Sequence, residues 1–169
     1  SILEHLTKTD TMMMSLYLAT LEEFEFIMQT TKEPQLEYIF RHPLIQEVAY
    51  NSLPKKSRSE LHRQVAETME KLFTQRLEEM TDILAHHYAC GDNIEKALEW
   101  LKRAGFKAKE LYTNDEAIRH FERIVSIIQE SKERLNLYAE PLKEAYESLG
   151  DIYTLKAVYP EAIKYYEAM

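Results

Sequence analysis

Residues 82–121 read DILAHHYACGDNIEKALEWLKRAGFKAKELYTNDEAIRHF, and small residues recur in this stretch at the offsets that a stack of helical hairpins needs. Taking Ala85 as origin, Tyr88, Ala97, Leu101 and Ala104 follow at offsets 3, 12, 16 and 19. The same offsets from Gly105 give Ala108, Ala117, Phe121 and Ile124, and from Gly150 they give Tyr153, Ala162, Tyr166 and Met169. Two antiparallel helices approach closely only where one backbone presents Ala or Gly to the other, and the bulky residue one turn away fills the space beside the crossing. No single hairpin of this kind buries both its faces, so each needs a neighbour and stability comes from stacking. The pattern predicts an α-solenoid.

The best copy is Tyr146, Leu149, Gly150 and Tyr153 followed by Ala162 and Tyr166. It resembles the tetratricopeptide signature nearly position for position. The origins, however, lie 20 and then 45 residues apart, against a family period of about 34. The 20-residue step predicts that the helix running from about residue 94 to 112 serves as second helix of one hairpin and first helix of the next. The extra sequence between Ile124 and Tyr146 breaks the period, so the expected array is irregular.

Working outward, the rest of the chain is consistent with helices. Only three Gly and five Pro in 169 residues argue for helices with short connections rather than a β-sandwich. Hydrophobic content of 45% with 30% charged residues is that of a globular protein with a buried core. No run of about 18 apolar residues is present to cross a bilayer, and the start lacks the basic, apolar, small-residue order of a secretory signal. The lone Cys90 excludes an internal disulfide framework. These features predict a cytoplasmic protein with no membrane association. The net charge of −8 opposes general attraction to phosphate backbones. Ser1 opens directly into an apolar helical pattern, and the third repeat match stops at Met169. The expectation is a fragment of a larger protein, truncated within its repeats; the cut leaves an apolar helix face on which copies can form homo-oligomers of no biological meaning.

Ahead of the repeats, residues 2–22 read as two short helices with Thr9 or Asp10 as N-cap between them. The three consecutive methionines, Met12 to Met14, read as flexible core filler. From Phe24 the period changes to two, with Phe24, Phe26 and Met28 alternating with Glu25, Ile27 and Gln29, and Leu36, Tyr38 and Phe40 with Glu37, Ile39 and Arg41. That alternation around the polar residues 30–34 predicts a β-hairpin over about 24–41. Pro43 fits a first helical turn, Leu44, Ile45, Val48, Ala49 and Leu53 trace one apolar face up to Pro54, and a second helix follows over about 55–74 with Leu61, Val65, Met69 and Leu72 on one side. Helix, hairpin, helix resembles the later part of a winged-helix domain. The expected architecture is therefore mainly α: a partial winged-helix domain with one small hairpin over 1–76, then tetratricopeptide-like repeats over 77–169, joined near the polar stretch 74–81.

The run 38–50, YIFRHPLIQEVAY, followed by Arg58, Leu61 and His62, is similar to the segment that joins the ATPase core to tetratricopeptide-type repeats in signal-transduction ATPases of the STAND class. Ala85-His86-His87-Tyr88, Lys96-Ala97, Ala104-Gly105 and Asn114-Asp115-Glu116-Ala117 also fit that class, above all its bacterial members linked to adenylate or guanylate cyclases or to transcriptional regulators. The resemblance implies a regulatory role: an upstream ATPase domain of the same parent chain on one side, and a protein or peptide on the repeat surface on the other. It also implies a site. His42, with Leu44, Glu47 and Ala49, resembles the motif of disease-resistance ATPases in which a His at the start of a short helix senses the β-phosphate of bound ADP. An imidazole N–H suits that task where backbone amides already point. Pro43 stands where those proteins have an acidic residue, and no phosphate-binding loop occurs in this chain. The alternative is a His42 that caps the hairpin-to-helix junction.

Other candidates reduce to bland readings. His86, His87 and Cys90 have helical spacings, but no fourth ligand has a recognisable one, so no metal is expected; one His should lie in the hairpin interface and the other meet solvent. Lys55, Lys56, Arg58 and Arg63 form a locally basic helix start of the kind that enters a DNA groove. With only Lys32 beside Glu33 on the hairpin and an acidic total, a solvated helix or an acidic neighbouring domain fits better than nucleic acid. The eleven tyrosines read as packing residues between helices rather than as a stacking platform for single strands. No carboxylate is paired with a base or nucleophile, and no Walker-type loop is present. The chain by itself reads as a non-enzyme without a cofactor.

Overall fold

The computed structural model describes residues 2–31, 37–130 and 132–169. The expected centre of the hairpin, with Lys32, Glu33, Pro34 and Leu36, and the start of the charged stretch at Ser131 lie outside the described residues. The fold is mainly α with one small antiparallel hairpin. It divides into two compact units, Ser1–Leu72 and Phe73–Met169.

In the first unit, α1 (Ile2–Thr7) and α2 (Thr11–Glu23) are separated by Asp10, whose carboxylate accepts from the Met13 N–H at 3.0 Å. This is the N-cap geometry that satisfies one of the helix's orphan donors. α2 then closes on Glu25, a non-glycine residue at φ 59°, with the Phe26 N–H donating to the Leu21 carbonyl at 2.9 Å. The left-handed closure corrects the expected hairpin boundary. Phe24 is the C-cap of α2 and Phe26 lies in the turn after it, its carbonyl accepting from the Arg41 N–H at 3.0 Å, and the first strand, β1, runs only over Ile27–Thr31. It pairs with β2 (Glu37–Phe40) in the register Ile27 to Phe40, Met28 to Ile39 and Gln29 to Tyr38, with an irregularity between Gln29 and Thr31. Ile27 is the buried residue of the alternation, while Phe24, Phe26 and Met28 are exposed.

α3 (Pro43–Ser52) begins on Pro43, whose missing N–H is harmless in a first turn, and α4 (Lys55–Leu72) follows Pro54. α4 packs on α1, and its buried residues are Ala66 and Met69 rather than the whole series from Leu61 to Leu72. Apart from these two, Met14 and Ile27 are the only buried apolar side chains among the unit's described residues.

The second unit carries the rest of the core. A single 3-10 turn (Leu77–Met80) leads into α5 (Thr81–Cys90), α6 (Ile94–Glu110), α7 (Asn114–Gln129), the short α8 (Lys132–Leu137), α9 (Ala139–Leu155) and α10 (Tyr159–Glu167). The extra sequence between Ile124 and Tyr146 thus contains a helix of its own from Lys132. Packing is almost entirely between neighbours: α5 on α6, α6 on α7, α7 on α9 and α9 on α10. α6 serves both hairpins, as the 20-residue step predicts. Trp100, Tyr88, Phe121, Leu84, Ile128, Leu149 and Ile152 are enclosed between these layers.

The small-to-bulky pairs meet where the offsets place them. A methyl group added at Gly105 would come 2.7 Å from Cζ of Phe121, and one at Gly150 would come 2.5 Å from Cε1 of Tyr166. In both cases an aromatic ring lies directly on the helix backbone. The surroundings differ, since Phe121 is 1% exposed and Tyr166 is 42% exposed. Replacing a helical Gly by Ala adds about 1 kcal/mol of helix propensity, while overpacking a closed core costs about 1–3 kcal/mol. Gly105→Ala should therefore lower stability by up to about 2 kcal/mol in urea unfolding. Gly150→Ala should leave it unchanged or raise it by up to about 1 kcal/mol, because the Tyr166 ring can swing outward.

Candidate interaction sites

In the first unit His42 is exposed, in extended conformation (φ −131°, ψ 129°), at the N-cap position of α3. Its side chain makes no capping hydrogen bond; its backbone carbonyl does the capping, accepting from the Ile45 N–H at 3.0 Å. His42 thus holds the N-cap position at the hairpin-to-helix junction, through its backbone and not through its imidazole, which is exposed. The basic residues at the start of α4 are drawn inward. Arg58 donates to Asn51 Oδ1 at 2.9 Å and lies 4.8 Å over the Tyr50 ring, and Arg63 pairs with Glu60 and Glu67 at 2.7 and 2.8 Å. Lys55 and Lys56 remain exposed. Two arginines held by partners within their own unit weaken the case for a phosphate-backbone surface there.

Apolar side chains are exposed on several elements of this unit: Met12 is 85% exposed, Leu44 69%, Phe24 65% and Val48 61%, and no residue of α3 is buried. Where such residues adjoin in one patch, they mark a surface that meets a partner.

In the second unit the candidates lie on α5, α7, α9 and α10. His86 and His87 meet edge to face at 5.5 Å; His86 is exposed and His87 half-buried. Cys90 at the end of α5 has its thiol pKa raised by burial, with Arg123 opposing part of the shift. Arg123 donates to the Ala89 carbonyl at 3.0 Å, which ties α7 to the end of α5.

Of the tyrosines, only Tyr88 and Tyr146 are buried; Tyr112, Tyr159, Tyr17, Tyr50 and Tyr166 are exposed. The expectation that most pack between helices is corrected. A phenol that cannot reach a hydrogen-bond partner is expensive to enclose, and here Tyr146 finds one in Gln129 Nε2 at 2.8 Å. Tyr165 donates to Glu122 Oε1 at 3.2 Å, stacks on Tyr153 at 5.7 Å and lies 6.1 Å from Tyr146. This tyrosine cluster joins α7, α9 and α10 across a sequence separation of 43 residues. Nothing in the repeat offsets points to Glu122.

A cleft of about 340 Å³ opens between α6, α7 and the start of α9. Phe121 and Ile124 of α7, Leu98 of α6, and Tyr138, Pro141 and Ala145 at and after the start of α9 line it; Tyr138 and Pro141 are half-buried and the others all but closed to solvent. Glu95, Glu99, Lys102 and Glu144 stand around it, with Lys102 paired to Glu144 at 2.5 Å. The signal for it in the sequence is the 45-residue step, though not its lining. In comparisons with known proteins, no family model, no curated protein and no solved structure matches the chain.

The tyrosine cluster has a pH signature. Burial first, then the Glu122 carboxylate, push the Tyr165 hydroxyl far above the usual phenol range, and burial followed by Glu122 and Glu161 raises Tyr153. A phenol whose pKa is higher folded than unfolded holds its proton more tightly in the folded state. Its contribution is complete below the unfolded value near 10 and is lost as pH rises through and beyond it. Urea midpoints should fall above about pH 10. They should fall less in Glu122→Gln, and that difference isolates the cluster from lysines titrating in the same range.

Proposed function

We propose that the chain is a non-catalytic regulatory and protein-interaction module of a larger signalling ATPase or nucleotidyl cyclase. In this reading the helix–hairpin–helix unit has winged-helix character and rests on a nucleotide switch of the same parent chain, while the helical repeats receive a protein partner in the cytoplasm. The observation that carries it is the apolar surface of the first unit. A unit that buries Met14, Ile27, Ala66 and Met69 yet exposes most of α2, the hairpin and α3 has the surface of a domain that packs on another. His42 stands at the edge of this surface at a helix start, where an imidazole donor and helix amides together favour an anionic oxygen. In the second unit, the neighbour-on-neighbour stack presents many side chains to one extended ligand.

No helix is long and apolar enough to cross a membrane among the described residues. The acidic balance of −8 and the internal engagement of Arg58 and Arg63 support protein rather than nucleic acid as the partner.

Calorimetry of ADP binding to the full parent protein tests the switch. His42→Ala should weaken ADP by about tenfold, or about 1.4 kcal/mol, and equal affinities would remove His42 as a phosphate sensor. Deleting residues 81–169 from the parent should abolish its regulation by partners. Unchanged regulation would contradict the repeat arm's role.

A further inference from the structure

The cleft between α6, α7 and α9 exists because of how the array departs from regularity. α6 and α9 both pack on α7 but hardly on each other, so the face of α7 between them is not closed by a neighbouring helix. Tyr138 and Pro141, at the start of α9, line part of it instead. The lining is apolar: Tyr138 and Pro141 are half-buried and open to an occupant, while Phe121, Ile124, Leu98 and Ala145 lie behind them, all but closed to solvent. A volume of about 340 Å³ is more than one large side chain needs and is at the lower end of ligand sites.

The rim selects the charge of the occupant. Three carboxylates, Glu95, Glu99 and Glu144, face one cation, Lys102. Lys102 is neutralised by Glu144, and Glu99 is shared between Lys96 at 3.2 Å and Arg103 at 3.9 Å. Glu95 has no ion pair among the described residues and is exposed beside the cleft. Glu95 is thus the unneutralised carboxylate of the rim, and a cation arriving with an apolar neighbour meets it without displacing an existing pair.

We propose that this cleft is the docking point of the repeat arm, and that its occupant is a segment of a partner protein presenting a large aliphatic or aromatic side chain next to Lys or Arg. The apolar side chain packs against Tyr138 and Pro141, and the neighbouring cation pairs with Glu95. The proposal rests on the reading of the second unit as a protein-binding arm and names the chemistry of what it binds. A buried apolar anchor with a charged neighbour at the rim is the usual division of labour at such surfaces, the anchor supplying affinity and the charge supplying selectivity.

The test uses this chain with labelled methyl groups and three dye-labelled synthetic peptides at low salt: one leucine flanked by lysines, the same leucine flanked by glutamates, and serine in place of leucine between the lysines. The lysine–leucine peptide should shift the methyl resonances of Leu98, Ile124 and Ala145 and bind at least about tenfold more tightly than either control. Glu95→Lys, a change at an exposed position that leaves the fold intact, should reduce its affinity by a similar factor. The proposal is overturned by any of four results: no shift of these methyls, shifts centred elsewhere, equal binding of the glutamate peptide, or the same shifts appearing with protein concentration alone, which would make a second copy the occupant. None of these bears on the deletion of residues 81–169 in the parent. If that deletion left regulation unchanged, the functional reading would fall while the peptide measurement stood.

Discussion

An aromatic ring seated on the bare backbone of the preceding helix is the contact on which the second unit depends. Phe121 lies on Gly105, and Tyr166 lies on Gly150, in both cases closer than a Cβ would permit. The first of these is enclosed, with Phe106 meeting Phe121 edge to face at 5.4 Å. Burying a side chain of this size stabilises by about 1.5–3 kcal/mol, and the seat also fixes which residue of one helix faces which residue of the next. Register along the stack follows from these seats, because a helix slipped by one turn would bring Ala108 or Leu101 to the place of Gly105.

Neighbour-only packing has a consequence for function. Where two helices share one partner but not each other, as α6 and α9 share α7, surface is left between them. In a regular array such spaces are uniform; here one of them is bordered by Tyr138 and Pro141 at the start of α9. The first unit stands at the opposite extreme. It has little interior of its own, and Phe24, Leu44 and Val48 remain in solvent. One unit is organised around its core and offers a local cleft, the other around a surface. That contrast underlies the proposal that the first rests on another domain while the second reaches for a partner.

Much of this was legible in the sequence because the interactions are periodic. The offset of 16 residues names the pairs Gly105 with Phe121 and Gly150 with Tyr166 directly, and Asp10 and Pro43 mark helix starts through the chemistry of caps and of a missing N–H. The end of α2 was not legible, since Phe24 and Phe26 satisfy a strand's alternation and a helix's last turn alike. The closing residue there is Glu25, and at the ends of α6 and α9 it is Tyr112 and Ala157, all left-handed without being glycine. Helix ends written without glycine give no compositional mark. Contacts between distant residues, such as Tyr165 with Glu122, and the lining of the cleft depend on where α9 comes to rest after an irregular insertion, which no repeat offset encodes.

The most direct measurement of the neighbour-held stack is native-state hydrogen exchange, residue by residue, across α5 to α10 in rising but sub-denaturing urea. In such a stack α10 rests chiefly on α9 and has the Tyr165–Glu122 contact as its reach to α7, whereas α6 is clamped on both sides. Amides of α10 should exchange through a local opening of smaller free energy and weaker urea dependence than those of α6 and α7, which should exchange only with global unfolding. A single opening free energy shared by α5 through α10 would contradict packing held by neighbours, and with it the physical origin of the cleft.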